Sequence, residues 1–457
     1  MALLTSVDPY RPDEVVVERP DATPREIERA AASAARAGRA WRHTTGPERA
    51  RALHAAAAAL DARRDEFTAL LVREVGKPVG EAAGEVRRSV DLLHYHATTA
   101  VLADGEHLPG GEPGALTYTV RRPLGAVALV TPWNFPLAIP LWKAAPALAV
   151  GNAVLLKPST AALATATALV ELLGEHVPDG TVALVAGEGD VVRALLPHVD
   201  AVSFTGSTAV GRIVVRAAAE LGIPCQAEMG GSNPSVVLAD ADLDAAARSI
   251  AGAAMAFAGQ KCTATSRIIV ERAVLGGLRE RLVAAVEQLG VGDPASPGTA
   301  VGPVISDAAR SGALAALARS GGRVHTGGAA LDDGFLLAPT LVEVDAGDAL
   351  LADEVFAPVA AVVSAPDADA AFDLASATPY GLAASVYTRD LDAALRFTEQ
   401  VDTGMVRVNS PTTGADYWAP FGGTKASSYG PHEQGAAARE FYTRPLTVTL
   451  GGGFRQR

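Results

Sequence analysis

The chain has 457 residues, 49% of them apolar and 20% charged, a balance that supports a packed interior and excludes the low-hydrophobicity, high-charge regime of disorder. That length exceeds what one hydrophobic core usually supports, so two large domains, with or without an appendage, are expected. Thirty-nine Lys and Arg against 51 Asp and Glu give a net charge of −12, and with no long basic run to track a phosphate backbone nucleic acid is not an expected partner.

The first quarter reads as helices with start and stop punctuation. Thr23-Pro24 opens one, Pro47 opens a second, and Gly76 closes that second one. The run Ala55 to Ala59 is intrinsically helical rather than a linker. From residue 125 the texture changes to short apolar strands alternating with helical patterns. In order these are strand Ala126–Val130, helix Leu137–Ala149, strand Ala153–Leu156, helix Ala161–Leu173, strands Val182–Val185 and Ala201–Phe204, helix Thr208–Leu221 and strand Cys225–Glu228. Such alternation predicts a parallel, doubly wound α/β sheet, which binds ligands at the carboxyl ends of its strands. A second alternating set starts with strand Ser235–Leu238, helix Leu243–Phe257 and strand Ser266–Val270 and runs to about residue 409, predicting a second α/β domain. Two segments fit neither set: Leu108 to Arg122, Gly/Pro-rich and then strand-like, and the tail Leu446–Leu450.

Apolar stretches such as Gly125 to Thr131 and Ala144 to Val150 fall far short of the roughly 20 residues a membrane span needs. Met1 to Pro20 has no basic head followed by an apolar signal core, so the expected address is the cytoplasm. With only Cys225 and Cys262, neither a disulfide framework nor a thiolate metal site can be built, and His94 and His96 are spaced wrongly for one helical face; no metal is expected.

A lone cysteine can still be a nucleophile. In Phe257-Ala-Gly-Gln-Lys-Cys262 the thiol follows an amphipathic pattern and lies beside Gly259, which keeps the backbone open. The ordinary alternative is a buried structural cysteine. Glu228, where a strand pattern ends in Glu228-Met-Gly-Gly231, is either a surface-turn residue or a general base with a raised pKa. Asn134 in Thr131-Pro-Trp-Asn-Phe-Pro136 is either a local turn-former or a rigid amide donor to a developing oxyanion. Lys157 ends a strand in Lys157-Pro-Ser-Thr160, in reach of a ribose or phosphate. Phe204-Thr-Gly-Ser-Thr-Ala-Val-Gly211 is a strand, a Gly turn and a helix start where free N–H groups favour a phosphate, although it is not the G-x-G-x-x-G fingerprint.

The joint pattern is far more specific than its parts. Trp133-Asn-Phe-Pro136, Lys157-Pro158, Phe204-Thr-Gly-Ser207, Glu228-Met-Gly-Gly231, Gly259-Gln-Lys-Cys262, Glu354-Val-Phe356 and Pro420-Phe-Gly-Gly423 follow one another as in the aldehyde dehydrogenase superfamily, which the chain resembles from about residue 8 to 450. The resemblance implies an α/β fold with a Rossmann-type cofactor domain (1–104 and 124–230), an α/β catalytic domain (231–421) and a small β oligomerisation appendage (105–123 and 436–457) through which members pair as dimers or dimers of dimers. It also implies an NAD(P)-dependent oxidation of an aldehyde to a carboxylic acid. Cys262 would be the nucleophile, Glu228 the base, and Asn134 with the Cys262 N–H the oxyanion hole, while Lys143 and Glu433 would relay the base's proton. Lys157 and Glu354 would hold the cofactor riboses, Ser207 would face its pyrophosphate, Ser159, Thr160 and Gly206 would also bind the cofactor, and Trp133 and Phe356 would pack around it.

Three positions depart from the family pattern. Thr160 stands where NAD-preferring members commonly have Glu, so NADP should be accommodated beside NAD. Ala357 and Ser428 replace glycines, and local backbone adjustment is expected at each. Within the superfamily, Ile139–Lys143, Gln226–Gly231, Cys262–Arg267 and Lys425–Gly435 most resemble 2-ketoglutarate semialdehyde (2,5-dioxopentanoate) dehydrogenases, which implies a small ω-carboxylated aldehyde. Its carboxylate needs a clamp, and the sequence places no Arg there; Arg267 is expected to be structural, and the segment Ser410–Asp416 to vary with substrate. The rival readings are a succinate semialdehyde, betaine-type or biosynthetic aldehyde dehydrogenase, an acyl-CoA-forming enzyme, a thiol hydrolase without cofactor, and a non-catalytic protein that kept the fold. Retention of Cys262 and Glu228 weighs against the last.

Overall fold

The computed structural model describes residues 3–102 and 104–451. Residues 1, 2, 103 and 452–457, which fall within the expected 1–104 and 436–457 segments, lie outside the described residues.

Capping chemistry sets the amino-terminal helices. Helix Pro24–Trp41 opens on a capping box in which the Thr23 hydroxyl accepts from the Glu26 N–H and the Glu26 carboxylate accepts from the Thr23 N–H at 2.8 Å. Helix Gly46–Ala62 repeats the device with Thr45 and Glu48. Gly76, left-handed at φ +64°, closes a separate helix, Arg64–Val75, rather than the second one. The break at Arg63 is hidden in sequence because strong helix formers continue across it. Ahead of these helices, Leu3–Val7 and Val15–Pro20 form an antiparallel pair that the sequence reading did not anticipate.

Five parallel strands build the first sheet in the order Cys225–Glu228, Ala201–Thr205, Ala126–Thr131, Ala153–Pro158, Val182–Leu184, and Ser428–Tyr429 adds an antiparallel edge beside Cys225–Glu228. The chain runs outward from Ala126–Thr131 to Val182–Leu184 and then returns to the other side at Ala201–Thr205. The carboxyl edge at that reversal is the crevice where open α/β sheets bind ligands. Strands Ala126–Thr131 and Ala153–Pro158 are buried at every residue, as helices covering both faces require.

The second sheet has seven strands, Arg323–Thr326, Thr340–Glu343, Val359–Ala365, Thr265–Glu271, Asn233–Val237, Ala383–Tyr387 and Met405–Val408, all parallel except the first. The two misfit segments meet in a third sheet, where Thr443–Leu450 pairs antiparallel with Leu116–Pro123, and His107–Leu108 pairs with the latter's other side. The expected α/β class, with a doubly wound sheet, a second α/β unit and a small β appendage, is borne out. No helix among the described residues is long and apolar enough to cross a membrane.

Candidate active site

Between helix Leu243–Met255 and strand Thr265–Glu271 the chain makes the turn that carries Cys262. Phe257, Ala258 and Gly259 take φ of +54°, +53° and +66°. A non-glycine residue in that region costs about 1–3 kcal/mol unless packing enforces it, and here both side chains are fully buried. A Cβ on Gly259 would overlap the Ala357 carbonyl oxygen. The helix expected through Phe257 therefore stops at Met255, and the apolar run conceals the break. Buried amides fix the turn. Gln260 accepts from the Ile305 N–H at 2.8 Å, and Asn233 Nδ2 donates to the carbonyls of Cys262 and Ala264, each at 2.8 Å. Cys262 is half-buried, and burial pushes its thiol up to about 12, with Glu354, Glu228 and Glu433 adding to the rise.

Glu228 ends its strand fully enclosed. Burial and then the neighbouring Glu433 carboxylate push its pKa well above the ordinary range, opposed by a hydrogen bond from Ser428 and by Lys143. Ser428 Oγ donates to Glu228 Oε2 at 2.6 Å, while Oε1 has no partner among the described residues. Behind it, Lys143 pairs with Glu433 and donates to Ser203 Oγ at 2.8 Å, so the expected relay residues do cluster. No hydrogen bond joins Cys262 to Glu228 among the described residues.

Asn134, buried after strand Ala126–Thr131, donates Nδ2 to the Gln260 carbonyl at 2.9 Å, which leaves its second amide hydrogen uncommitted among the described residues. Its turn is held by a residue that the sequence reading missed. Lys77, fully buried, pairs with Glu85, donates to the Asn134 carbonyl at 2.7 Å, and lies 3.9 Å from the Phe135 ring centre and 4.5 Å from that of Phe257. Glu85 Oε1 accepts from the N–H groups of Leu137 and Ala138, each at 3.0 Å, satisfying donors at the start of helix Ala138–Ala149. A Lys beside a helix start reads as solvated from sequence; only a contact spanning 57 residues reveals its role.

Along the same carboxyl edge lie the expected cofactor residues. Lys157 is buried, its pKa lowered by that burial, and its ammonium makes no hydrogen bond or ion pair among the described residues. Ser207 caps the 14-residue helix Thr208–Leu221, beside Gly206. Trp133 and Phe356 meet edge to face at 5.8 Å. Glu354, pushed up to about 7 by burial, accepts from the Gly231 N–H at 3.0 Å and occupies the space that a Cβ on Gly230 would fill. An unspent buried donor, a helix start and an aromatic pair on one edge fit a nicotinamide dinucleotide. Ser159, whose N–H donates to the Thr131 carbonyl at 2.9 Å, adjoins Thr160.

Thr160 carries no charge itself, but its hydroxyl donates to the Glu188 carboxylate, brought in by the loop after strand Val182–Leu184. Sequence distance hid this, because Gly187-Glu-Gly-Asp190 reads only as a turn. Of the glycine replacements, Ala357 is not among the positive-φ residues, so it needs no adjustment. Ser428 is not a passive replacement, since it touches Glu228.

A pocket of about 480 Å³ opens beside Cys262, walled by Phe135, Trp142 and Phe421. It also holds Arg88, which the sequence could not place; half-buried, Arg88 donates to the Ala415 carbonyl and has no ion pair among the described residues. The other charges there are matched, Lys261 with Glu81 at 2.7 Å and Glu85 with Lys77. Arg267 is structural as expected, its guanidinium buried against the carbonyls of Ser232, Leu374 and Ala375. Thr413 to Ala415, from the segment expected to vary with substrate, line the pocket.

The model of the aldehyde dehydrogenase family matches residues 2–448. The chain is 37% identical to an alpha-ketoglutaric semialdehyde dehydrogenase of Bacillus subtilis, over 96% of this chain and 93% of the relative. It is 39% identical to an alpha-ketoglutarate semialdehyde dehydrogenase of Haloferax volcanii, over 96% and 94%. Among solved structures, an NAD-dependent aldehyde dehydrogenase from Sinorhizobium meliloti superposes with a TM-score of 0.96 at 33% identity, covering 99% of this chain and 92% of that one. A betaine aldehyde dehydrogenase from Staphylococcus aureus in complex with NAD+ gives 0.95 at 29% identity, covering 98% and 92%. With the fold, the enclosed Glu228 and the strained turn before Cys262 in agreement, the chain belongs to the aldehyde dehydrogenase family.

Proposed function

We propose that this NAD(P)-dependent aldehyde dehydrogenase oxidises a small ω-carboxylated semialdehyde, of which 2-ketoglutarate semialdehyde is the leading example, to the dicarboxylic acid. The observation that carries this reading is Arg88, a cation in the pocket that contains Cys262 and without an ion pair among the described residues. A guanidinium spending one donor on a carbonyl keeps others for a carboxylate. The names of the two relatives point to the same substrate.

The Cys262 thiol gives its proton to solvent as its sulfur adds to the aldehyde carbon, forming the C–S bond, and the Asn134 N–H left free among the described residues and the Cys262 N–H meet the oxyanion. When bound, the oxidised nicotinamide supplies the hydride acceptor. Glu228 then takes a proton from water as the water's oxygen adds to the thioester carbon, the C–S bond breaks, and Cys262 is regenerated. Lys143 and Glu433 pass that proton onward.

The Glu188 carboxylate at Thr160 favours NAD over NADP, because a 2′-phosphate would meet a like charge. The first sheet, with residues 1–104 and 124–230, is read as the cofactor domain, and 231–421 as the catalytic domain. The third sheet is read as the surface through which cytoplasmic copies pair.

The test compares Arg88→Met with wild type on a five-carbon dicarboxylic semialdehyde and on pentanal. Loss of a charge-assisted pair predicts a fall of about 30- to 100-fold in kcat/KM for the former and little change for the latter. Equal changes on both would refute the clamp.

A further inference from the structure

Ser428 stands where the family pattern has glycine, on the short strand Ser428–Tyr429, directly across from Glu228. Its hydroxyl accepts from the Gly423 N–H at 2.7 Å and donates to Glu228 Oε2 at 2.6 Å. A hydroxyl has one proton, and the Gly423 contact occupies a lone pair, so that proton is directed at the carboxylate. Glu228 Oε1 remains without a partner among the described residues. Next to it, Gly422 leaves open the space where a Cβ would overlap the His432 ring and stand 3.0 Å from Glu228 Oε1.

We propose that Ser428 is a positioning residue for hydrolysis: it anchors Glu228 through Oε2, favours its ionised form, and leaves Oε1 for the water that attacks the thioester. This rests on the reading of Glu228 as the base. The ionisable groups around that carboxyl are Glu433 and Lys143 behind it, His432 beyond Gly422, and Cys262, which feels Glu228 and Glu354. Burial and Glu433 favour the protonated acid, whereas Ser428 and then Lys143 oppose them. A base that stays protonated cannot take a proton from water, so the hydroxyl extends the working range of the enzyme toward lower pH.

The experiment measures kcat against pH for wild type, Ser428→Ala, Ser428→Gly and Ser428→Thr, with Glu228→Gln in parallel. Removing a hydrogen bond to a charged carboxylate moves the acid limb to higher pH by about one unit. Turnover near neutrality then falls up to about tenfold and recovers at high pH, while KM for the aldehyde is unchanged. Ser428→Thr, which keeps the hydroxyl, keeps the wild-type limb. A purely structural role would lower the melting temperature without moving the limb. Superimposed profiles for wild type and Ser428→Ala, with Glu228→Gln stalled at the thioester after one hydride transfer, would overturn the role of Ser428 alone. Normal turnover by Glu228→Gln would overturn both the base and its anchor.

Discussion

Cys262 is held as a thiol by its own surroundings, since burial and three carboxyl groups all oppose the thiolate. Alkylation of the cofactor-free protein by iodoacetamide should therefore accelerate steadily with pH up to about 9, with no plateau near the ordinary thiol pKa of about 8.5. A plateau near neutrality would mean an activated thiolate and a different site. At Thr160 the deciding residue lies elsewhere in the chain. Glu188→Gln should tighten NADP binding by about tenfold, the order expected for a screened surface repulsion, and leave NAD binding nearly unchanged in a titration. Unchanged NADP affinity would remove Glu188 from cofactor choice.

At the scale of elements, the Lys77–Glu85 pair ties a helix start to the Asn134 turn. Lys77→Met leaves Glu85 buried without its cation, which costs about 3–5 kcal/mol and should lower the melting temperature and kcat together. Adding Glu85→Leu should restore much of the stability but not kcat, because the Asn134 carbonyl still lacks its donor; recovery of both would make the pair merely structural. How much of this was legible follows from the range of each signal. Strand and helix periodicity and caps such as Thr23-Pro24 are local, so the parallel sheets and most elements are readable from the sequence. Cys262, Glu228 and Asn134 are readable because each sits in a compact motif at the end of an element. Arg88, Lys77, Asn233 and Glu188 were not, because each acts on a partner from a distant element and looks in sequence like an ordinary helix, strand or turn residue. The left-handed run at Phe257 and Ala258 was hidden for another reason: tertiary packing, not residue type, enforces it.

For the whole molecule, one source of acid sensitivity is His96, buried with Nε2 unpartnered among the described residues and its pKa lowered to about 3 by burial. A depressed histidine means that the unfolded chain, near pKa 6.5, binds the proton more readily, so stability is full above that value and declines as pH falls toward 3. Between about pH 6.5 and 5 this amounts to about 2 kcal/mol, and His96→Leu should flatten that part of the unfolding profile; an equally steep profile would place the acid sensitivity elsewhere. Among the described residues the three-stranded sheet leaves one edge of Thr443–Leu450 unpaired, the edge at which we propose that copies pair. Whether Cys262 is the nucleophile is tested by nicotinamide reduction by the purified protein with 2-ketoglutarate semialdehyde and NAD, run beside Cys262→Ala. Wild type should reduce NAD rapidly and the variant not above background, with NAD binding retained. Comparable reduction by Cys262→Ala would mean that another residue carries the nucleophilic step.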